Sequence, residues 1–193
     1  MFPETITREE VNSLELDTFR GKIRLITRED QLTDVFNKIN KHAVVGFDTE
    51  TKPTFRKGEV NDVAMIQIAI PNEVFIIRIN YTRITDEIHR FLENKAIIKV
   101  GVALRDDLKD LNRLRKFNPA GFMELNKMVK DIGIESNGLR KLTAIILGFR
   151  ISKNAQVSNW EADQLTQKQL QYAATDAWVC LEMYDVLNKK GYL

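Results

Sequence analysis

Apolar and polar residues change their period several times along the chain, and each change marks an element. Lys22 to Ile26 alternates as an extended strand does, and Thr27 to Lys41 then sets Leu32, Val35, Phe36 and Ile39 at helical spacing. Val44 to Thr51 reads as a buried strand. Val60 to Ile70 is an apolar run with the β-branched bias of a strand, Pro71-Asn72 is a turn signal, and Val74 to Ile79 is the return strand of a hairpin. Ile88, Phe91 and Leu92 give Thr85 to Asn94 a helical stripe. Ala96 to Val102 predicts a further core strand, Gly121 to Leu125 a short fifth one, and Leu139 to Leu147 a helix closed by Gly148. After an irregular stretch from Phe149 to Leu165, the capping-box spacing Thr166-Gln167-Lys168-Gln169 opens a last helix that runs to about Lys189. The same spacing in Thr7-Arg8-Glu9-Glu10 opens a short helix in an N-terminal arm, residues 1–20, which either packs on the core or stays mobile. Strands alternating with helices predict an α/β fold, a mixed sheet with helices on its faces.

A chain of 193 residues is the size of one domain with a substantial core. Its 29 basic and 27 acidic residues leave a net charge of +2, so the charge balance alone does not point to nucleic acid. The single Cys180 rules out an internal disulfide and a cysteine-rich zinc site, and two separated histidines, His42 and His89, argue against a histidine metal site or a Ser/His/Asp triad. No apolar run approaches the ~18 residues that span a bilayer, and the N-terminus lacks a signal-peptide pattern. What survives is a cytoplasmic enzyme or binding module.

Candidate chemistry begins in Val44-Val45-Gly46-Phe47-Asp48-Thr49-Glu50-Thr51. Side chains alternate along a strand, so Asp48 and Glu50 share one face while Phe47 and Thr49 share the other. Two like charges on a buried strand cost several kcal/mol unless a partner compensates them, and a divalent cation with oxygen ligands is the simplest compensator. Asp-x-Glu at a strand end also arises by chance, so the remaining ligands must come from elsewhere. In Leu104-Arg105-Asp106-Asp107-Leu108 the helical stripe Leu104, Leu108, Leu111 and Leu114 contains Asp107 and leaves Asp106 on the solvent side. Asp107 is either a ligand or a flanking charge of that helix. In the last helix Tyr172 and Asp176 lie one turn apart on a face that continues to Cys180, Met183 and Leu187. A carboxylate facing the core again asks for a cation, and the tyrosine is placed to hydrogen-bond a water beside it; the alternative is a Tyr-Asp pair bonded to backbone.

Taken in order, Asp48, Glu50, Asp107 and Asp176 resemble the four acids of the DEDD superfamily of 3′–5′ exonucleases, and Tyr172 resembles the mark of its tyrosine subgroup. The neighbourhoods match as well: Gly46-Phe47-Asp48-Thr49-Glu50, Val100-Gly101-Val102 leading to Asp107-Leu108, and Tyr172-Ala173-Ala174-Thr175-Asp176-Ala177. Ser158-Asn159-Trp160 is similar to Werner-type members; Thr51 departs from them, standing where they carry a tryptophan. The resemblance spans roughly residues 25–190. It implies a ribonuclease H-like fold with a five-stranded mixed sheet whose second strand is antiparallel to the rest. It also implies two divalent metal ions, Mg²⁺ or Mn²⁺, held by Asp48, Glu50, Asp107 and Asp176, with Tyr172 orienting the attacking water. The activity implied is hydrolysis of the terminal phosphodiester at a DNA or RNA 3′ end, releasing a nucleoside 5′-monophosphate. Expected nucleic-acid contacts are Lys52, Arg56, Lys57 and Lys153, with Trp160 either stacking on a base or serving as a buried anchor. Substrate affinity is expected from this domain or from a protein partner. Two other readings are an inactive exonuclease-fold module that binds nucleic acid or protein, and a metal-dependent phosphatase acting on small nucleotides.

Overall fold

The computed structural model describes residues 1–56, 58 and 60–193. Six strands form one sheet: β1 (Lys22–Ile26), β2 (Val44–Thr51), β3 (Val63–Ile70), β4 (Glu73–Ile77), β5 (Ile98–Gly101) and β6 (Phe122–Glu124), in the order β1-β4-β3-β2-β5-β6. β3 runs antiparallel to both β2 and β4, whereas β1 with β4, β2 with β5, and β5 with β6 are parallel. The expected five-stranded sheet is therefore corrected to six. Periodicity showed Lys22–Ile26 to be extended, but its pairing with Glu73–Ile77 joins segments about 50 residues apart, which local pattern does not encode.

The helices are α1 (Arg8–Ser13), α2 (Leu32–Ile39), α3 (Ile79–Thr82), α4 (Asp86–Glu93), α5 (Leu104–Leu114), α6 (Leu125–Asp131), α7 (Leu139–Leu147) and α8 (Gln167–Lys189). Alternation along the central strands sorts them onto two faces. Val45, Phe47, Ile66, Ile68, Ile70, Phe75 and Ile77 pack against α2, α4 and α5. On the other face Met65, Ala69, Val74 and Ile76 meet Ala173, Ala174, Ala177 and Leu181 of α8, and Val100 meets α6, α7 and the far half of α8. Small residues let α8 lie close to the sheet. At Gly46 a Cβ would stand 2.0 Å from the Ala177 carbonyl oxygen, so any side chain there would push the helix off β2. This contact aligns the strand that bears Asp48 with the helix that bears Asp176.

Both capping boxes form. The Thr7 and Thr166 hydroxyls accept from the Glu10 and Gln169 amides at 3.2 Å, and each N3 side chain reaches back to its cap residue. The N-terminal arm packs on the body instead of standing free: the Asp17 amide donates to the Arg150 carbonyl at 3.0 Å and the Arg150 amide to the Glu15 carbonyl at 2.9 Å. The segment 149–165 contains no α-helix or sheet strand among its described residues, as its lack of period predicts. The short helices α3 and α6 have no period long enough to announce them.

Candidate active site

Three of the predicted acids converge. One carboxylate oxygen each from Asp48, Glu50 and Asp176 lies within 4.8 Å of the others, and all three line a cavity of about 540 Å³ that Tyr172 also lines. Asp48 and Glu50 come from one face of β2, and Asp176 comes down from α8 where Gly46 allows the close approach. The group holds its protons against the solvent value. Burial raises Asp48 well above the carboxylate range, and the charges of Asp176 and Asp107 add to the rise. Burial, followed by the charge of Asp48, pushes Glu50 up to about 10. Asp176 rises to about 7 through burial, with the Tyr172 hydroxyl working against that rise. Among the described residues no lysine or arginine pairs with these acids, and Asp176 Oδ1 is buried with no protein partner. An all-oxygen donor set of this kind, crowded, desolvated and uncompensated, fits a hard divalent cation.

Asp107 is placed differently. It lies in the first turn of α5, packed against the opposite face of the sheet, and its Oδ1 accepts a hydrogen bond from the Thr49 hydroxyl. It stays outside the three-acid cluster yet near enough for its charge to act on Asp48 and Glu50, and burial pushes its own pKa up to about 6. Asp106 is exposed, as the helical stripe predicts. What fixes α5 went unread in the sequence: Glu124, at the end of β6. Its Oε1 accepts from the amides of Ala103 and Asn126 at 2.9 and 3.1 Å, and its Oε2 from that of Leu104 at 2.7 Å. Ala103 has a left-handed φ of 62°, uncommon for a residue with a Cβ, and the carboxylate across it holds this turn. A Glu before an apolar helix carries no signal of such a reach.

Tyr172 stands one turn before Asp176. Burial first, then the charges of Asp176 and Glu50, hold its phenol well above the ordinary range, so it keeps its proton at neutral pH. Its ring packs on Trp160 with centroids 5.9 Å apart. Trp160 itself is 0% exposed, so the base-stacking role considered for it is corrected: the indole is the buried anchor. Arg78, also unread in the sequence, fastens that anchor. Its Nη1 donates to the Asp163 carbonyl at 3.0 Å, and its Nη2 to the carbonyls of Ala162 and Trp160 at 2.7 and 3.3 Å.

The cationic positions scatter. Lys153 is exposed and lines the acid cavity. Lys52 forms a surface ion pair with Glu161 at 3.3 Å, Arg56 is exposed on the loop after β2, and Lys57 lies outside the described residues. Sequence reasoning passed over Arg8 and Arg140, which line the same cavity as the acids.

The structure superposes on the crystal structure of the Aedes aegypti Nibbler EXO domain with a TM-score of 0.82, covering 90% of this chain and 92% of that one at 23% identity. In sequence, the chain is 30% identical over 164 residues to the mouse bifunctional 3′-5′ exonuclease/ATP-dependent helicase WRN, covering 82% of this chain and 12% of that protein. It is likewise 30% identical over 175 residues to ribonuclease D of Haemophilus influenzae, covering 86% of this chain and 42% of that protein. The chain thus spans less than half the length of either relative. A sequence model of the family described as 3′-5′ exonuclease matches residues 23–191, and the chain belongs to that family.

Proposed function

We propose that this chain removes nucleotides one at a time from the 3′ end of a nucleic acid by metal-dependent hydrolysis. The observation that carries the reading is the cluster of Asp48, Glu50 and Asp176, desolvated and without a protein cation among the described residues, in one cavity with the Tyr172 hydroxyl. Asp48, Glu50 and Asp176, together with Asp107 from α5, are the residues that would hold two divalent cations, Mg²⁺ or Mn²⁺. When bound, such ions neutralise charge at the scissile phosphate and lower the pKa of an attacking water. The protein's own part is orientation. Tyr172 remains a phenol at neutral pH and its proton donor positions the water in line with the terminal phosphodiester. Trp160, fastened by Arg78, holds the Tyr172 ring from behind. Water adds to phosphorus, the 3′ oxygen of the shortened strand leaves with a proton, and a nucleoside 5′-monophosphate is released.

One observation favours a second reading, a binding module without turnover: Asp107 bonds Thr49 and stands apart from the other three acids. The two are separated by a gel assay on 5′-labelled single-stranded DNA, recessed duplex DNA and RNA, each with Mg²⁺, Mn²⁺ or EDTA, with Asp107→Ala alongside. The exonuclease gives a ladder shortening from the 3′ end that needs the metal and is lost in the variant. Intact substrates under every metal condition, from folded protein, would select the binding module.

A further inference from the structure

Basic residues also line the acid cavity. Arg8 on α1 and Arg140 at the start of α7 line it, beside Lys141 and Lys153. Among the described residues none of these four forms an ion pair with a carboxylate. Arg140 is half-buried, and its Nε donates to the Ile151 carbonyl at 3.3 Å. Burial lowers its pKa from the usual guanidinium value, and the charges of Arg150 and Arg8 lower it further. Arg150 is fixed in turn by an Nε bond to the Leu14 carbonyl at 3.0 Å. Guanidinium groups held where they repel one another, with no protein anion between them, form a site that an outside anion relieves.

The arm that brings Arg8 is fastened along its length by backbone atoms. The amides of Glu135 and Ser136 donate to the Glu4 carbonyl at 2.8 and 3.3 Å, and the Phe19 amide donates to the Thr175 hydroxyl, next to Asp176, at 3.1 Å. None of these bonds uses the Arg8 side chain. The family match starts at residue 23, so Arg8 stands outside it. For a polyanion entering this cavity, Arg8 and Arg140 supply positive charge from the protein itself, apart from the acids.

We propose that Arg8 and Arg140 form a phosphate subsite for a phosphodiester upstream of the scissile bond in a single-stranded polynucleotide, which makes the N-terminal arm part of the substrate cleft. The inference rests on the exonuclease reading for its orientation, but its test reads binding and needs no turnover. Fluorescein-labelled single-stranded DNA and RNA oligonucleotides are titrated by anisotropy in Mg²⁺ over a range of salt, in an Asp107→Ala background that leaves the strand intact. Arg8→Gln and Arg140→Gln should each weaken binding about 3–10-fold at low salt and reduce the slope of log K against log[salt] by about 0.7, the share of one phosphate contact on a single strand. Arg140→Lys should keep most of the slope.

A single uncharged methylphosphonate is then moved along the strand from its 3′ end. At one position its penalty should vanish in Arg140→Gln while persisting in the parent, which a merely structural arginine would not produce. A parent slope in both glutamine variants, or methylphosphonate penalties that add to the mutation at every position, would overturn the subsite. Specific coupling, together with a wild-type chain that never shortens the strand in Mg²⁺ or Mn²⁺, would leave the subsite standing and sink the exonuclease. A preference for DNA over RNA, or the reverse, identifies the polymer.

Discussion

Two regions of this molecule bury charge, and they do it in opposite ways. Beneath the sheet, Lys99 is wholly buried, yet its Nζ donates to the carbonyls of Asn94 and Phe91 at 2.6 and 3.1 Å and lies over the Phe91 and Phe122 rings at 5.2 and 5.0 Å. Arg78, equally buried, serves three carbonyls, and among the described residues only its Nε is left without a partner. Burial lowers Lys99 to about 8, but the ammonium still finds oxygens. The acid cluster is the reverse: three carboxylates face one another, their proton affinities raised by burial and, at Asp48 and Glu50, by repulsion as well, with Asp176 Oδ1 unserved among the described residues. Buried charge that the protein satisfies holds the fold together. Buried charge that it leaves unsatisfied is held for something that arrives later.

Breaking the contrast gives graded outcomes. The largest is on turnover: Asp48→Ala should lower the exonuclease rate by more than about 10³-fold, the scale of removing a preorganised charge from a reaction site, with circular dichroism unchanged. Near-wild-type rates would remove Asp48 from the machinery. Arg78→Met should act on the fold instead, costing roughly 2–4 kcal/mol in urea unfolding because three carbonyls lose a buried charged donor. It should also quench or shift the Trp160 emission less in Mg²⁺ than in EDTA if cations tighten the Tyr172 side of the anchor.

Third comes the pH dependence of the metal-free protein. Asp176 goes from 3.8 to about 7 on burial, so between those values the folded state binds more protons than the unfolded one. The neutral acid's contribution is fully present below about 4 and is lost as pH rises through about 7. Thermal midpoints in EDTA should therefore fall over that window, and Asp176→Asn should flatten the fall and gain roughly 1–4 kcal/mol at pH 8. A midpoint that rises with pH over the same window in wild type, insensitive to the substitution, would contradict the desolvated cluster. The smallest effect belongs to Tyr172→Phe, a loss of about 10–100-fold in kcat with Mg²⁺ affinity kept, as an orienting hydroxyl requires. Unchanged kinetics would leave Tyr172 as a packing residue only.

The elements were legible wherever one segment carried its own period. Capping boxes at Thr7 and Thr166, the stripe of α5, and the face of β2 that pairs Asp48 with Glu50 all follow from spacing of a few residues. Ordered motifs singled out Asp107, Tyr172 and Asp176 as candidates, and the same α5 stripe set Asp106 outward, where it is exposed. Not legible were contacts made by one side chain across the fold. Glu124 gives no local sign that it will hold the Ala103 turn about 20 residues earlier, and Arg78 gives none that it will take carbonyls more than 80 residues later. Trp160 is alike in this: a lone indole in an irregular segment is equally suited to stack on a base or to anchor a core, and only the packing of α8 against β4 decides it.

By itself the sequence determined the alternation of strands and helices and which carboxylates point inward, because side-chain direction follows from backbone period alone. The tertiary structure decided the distances. It joined β1 to β4 as a sixth strand, drew Asp176 to Asp48 through the gap that Gly46 leaves, left Asp107 on Thr49, and folded the arm so that Arg8 lines the cavity of the acids. These outcomes depend on loop closure and on packing between segments far apart in the chain, where energy is set by shape and desolvation and no local pattern records the result.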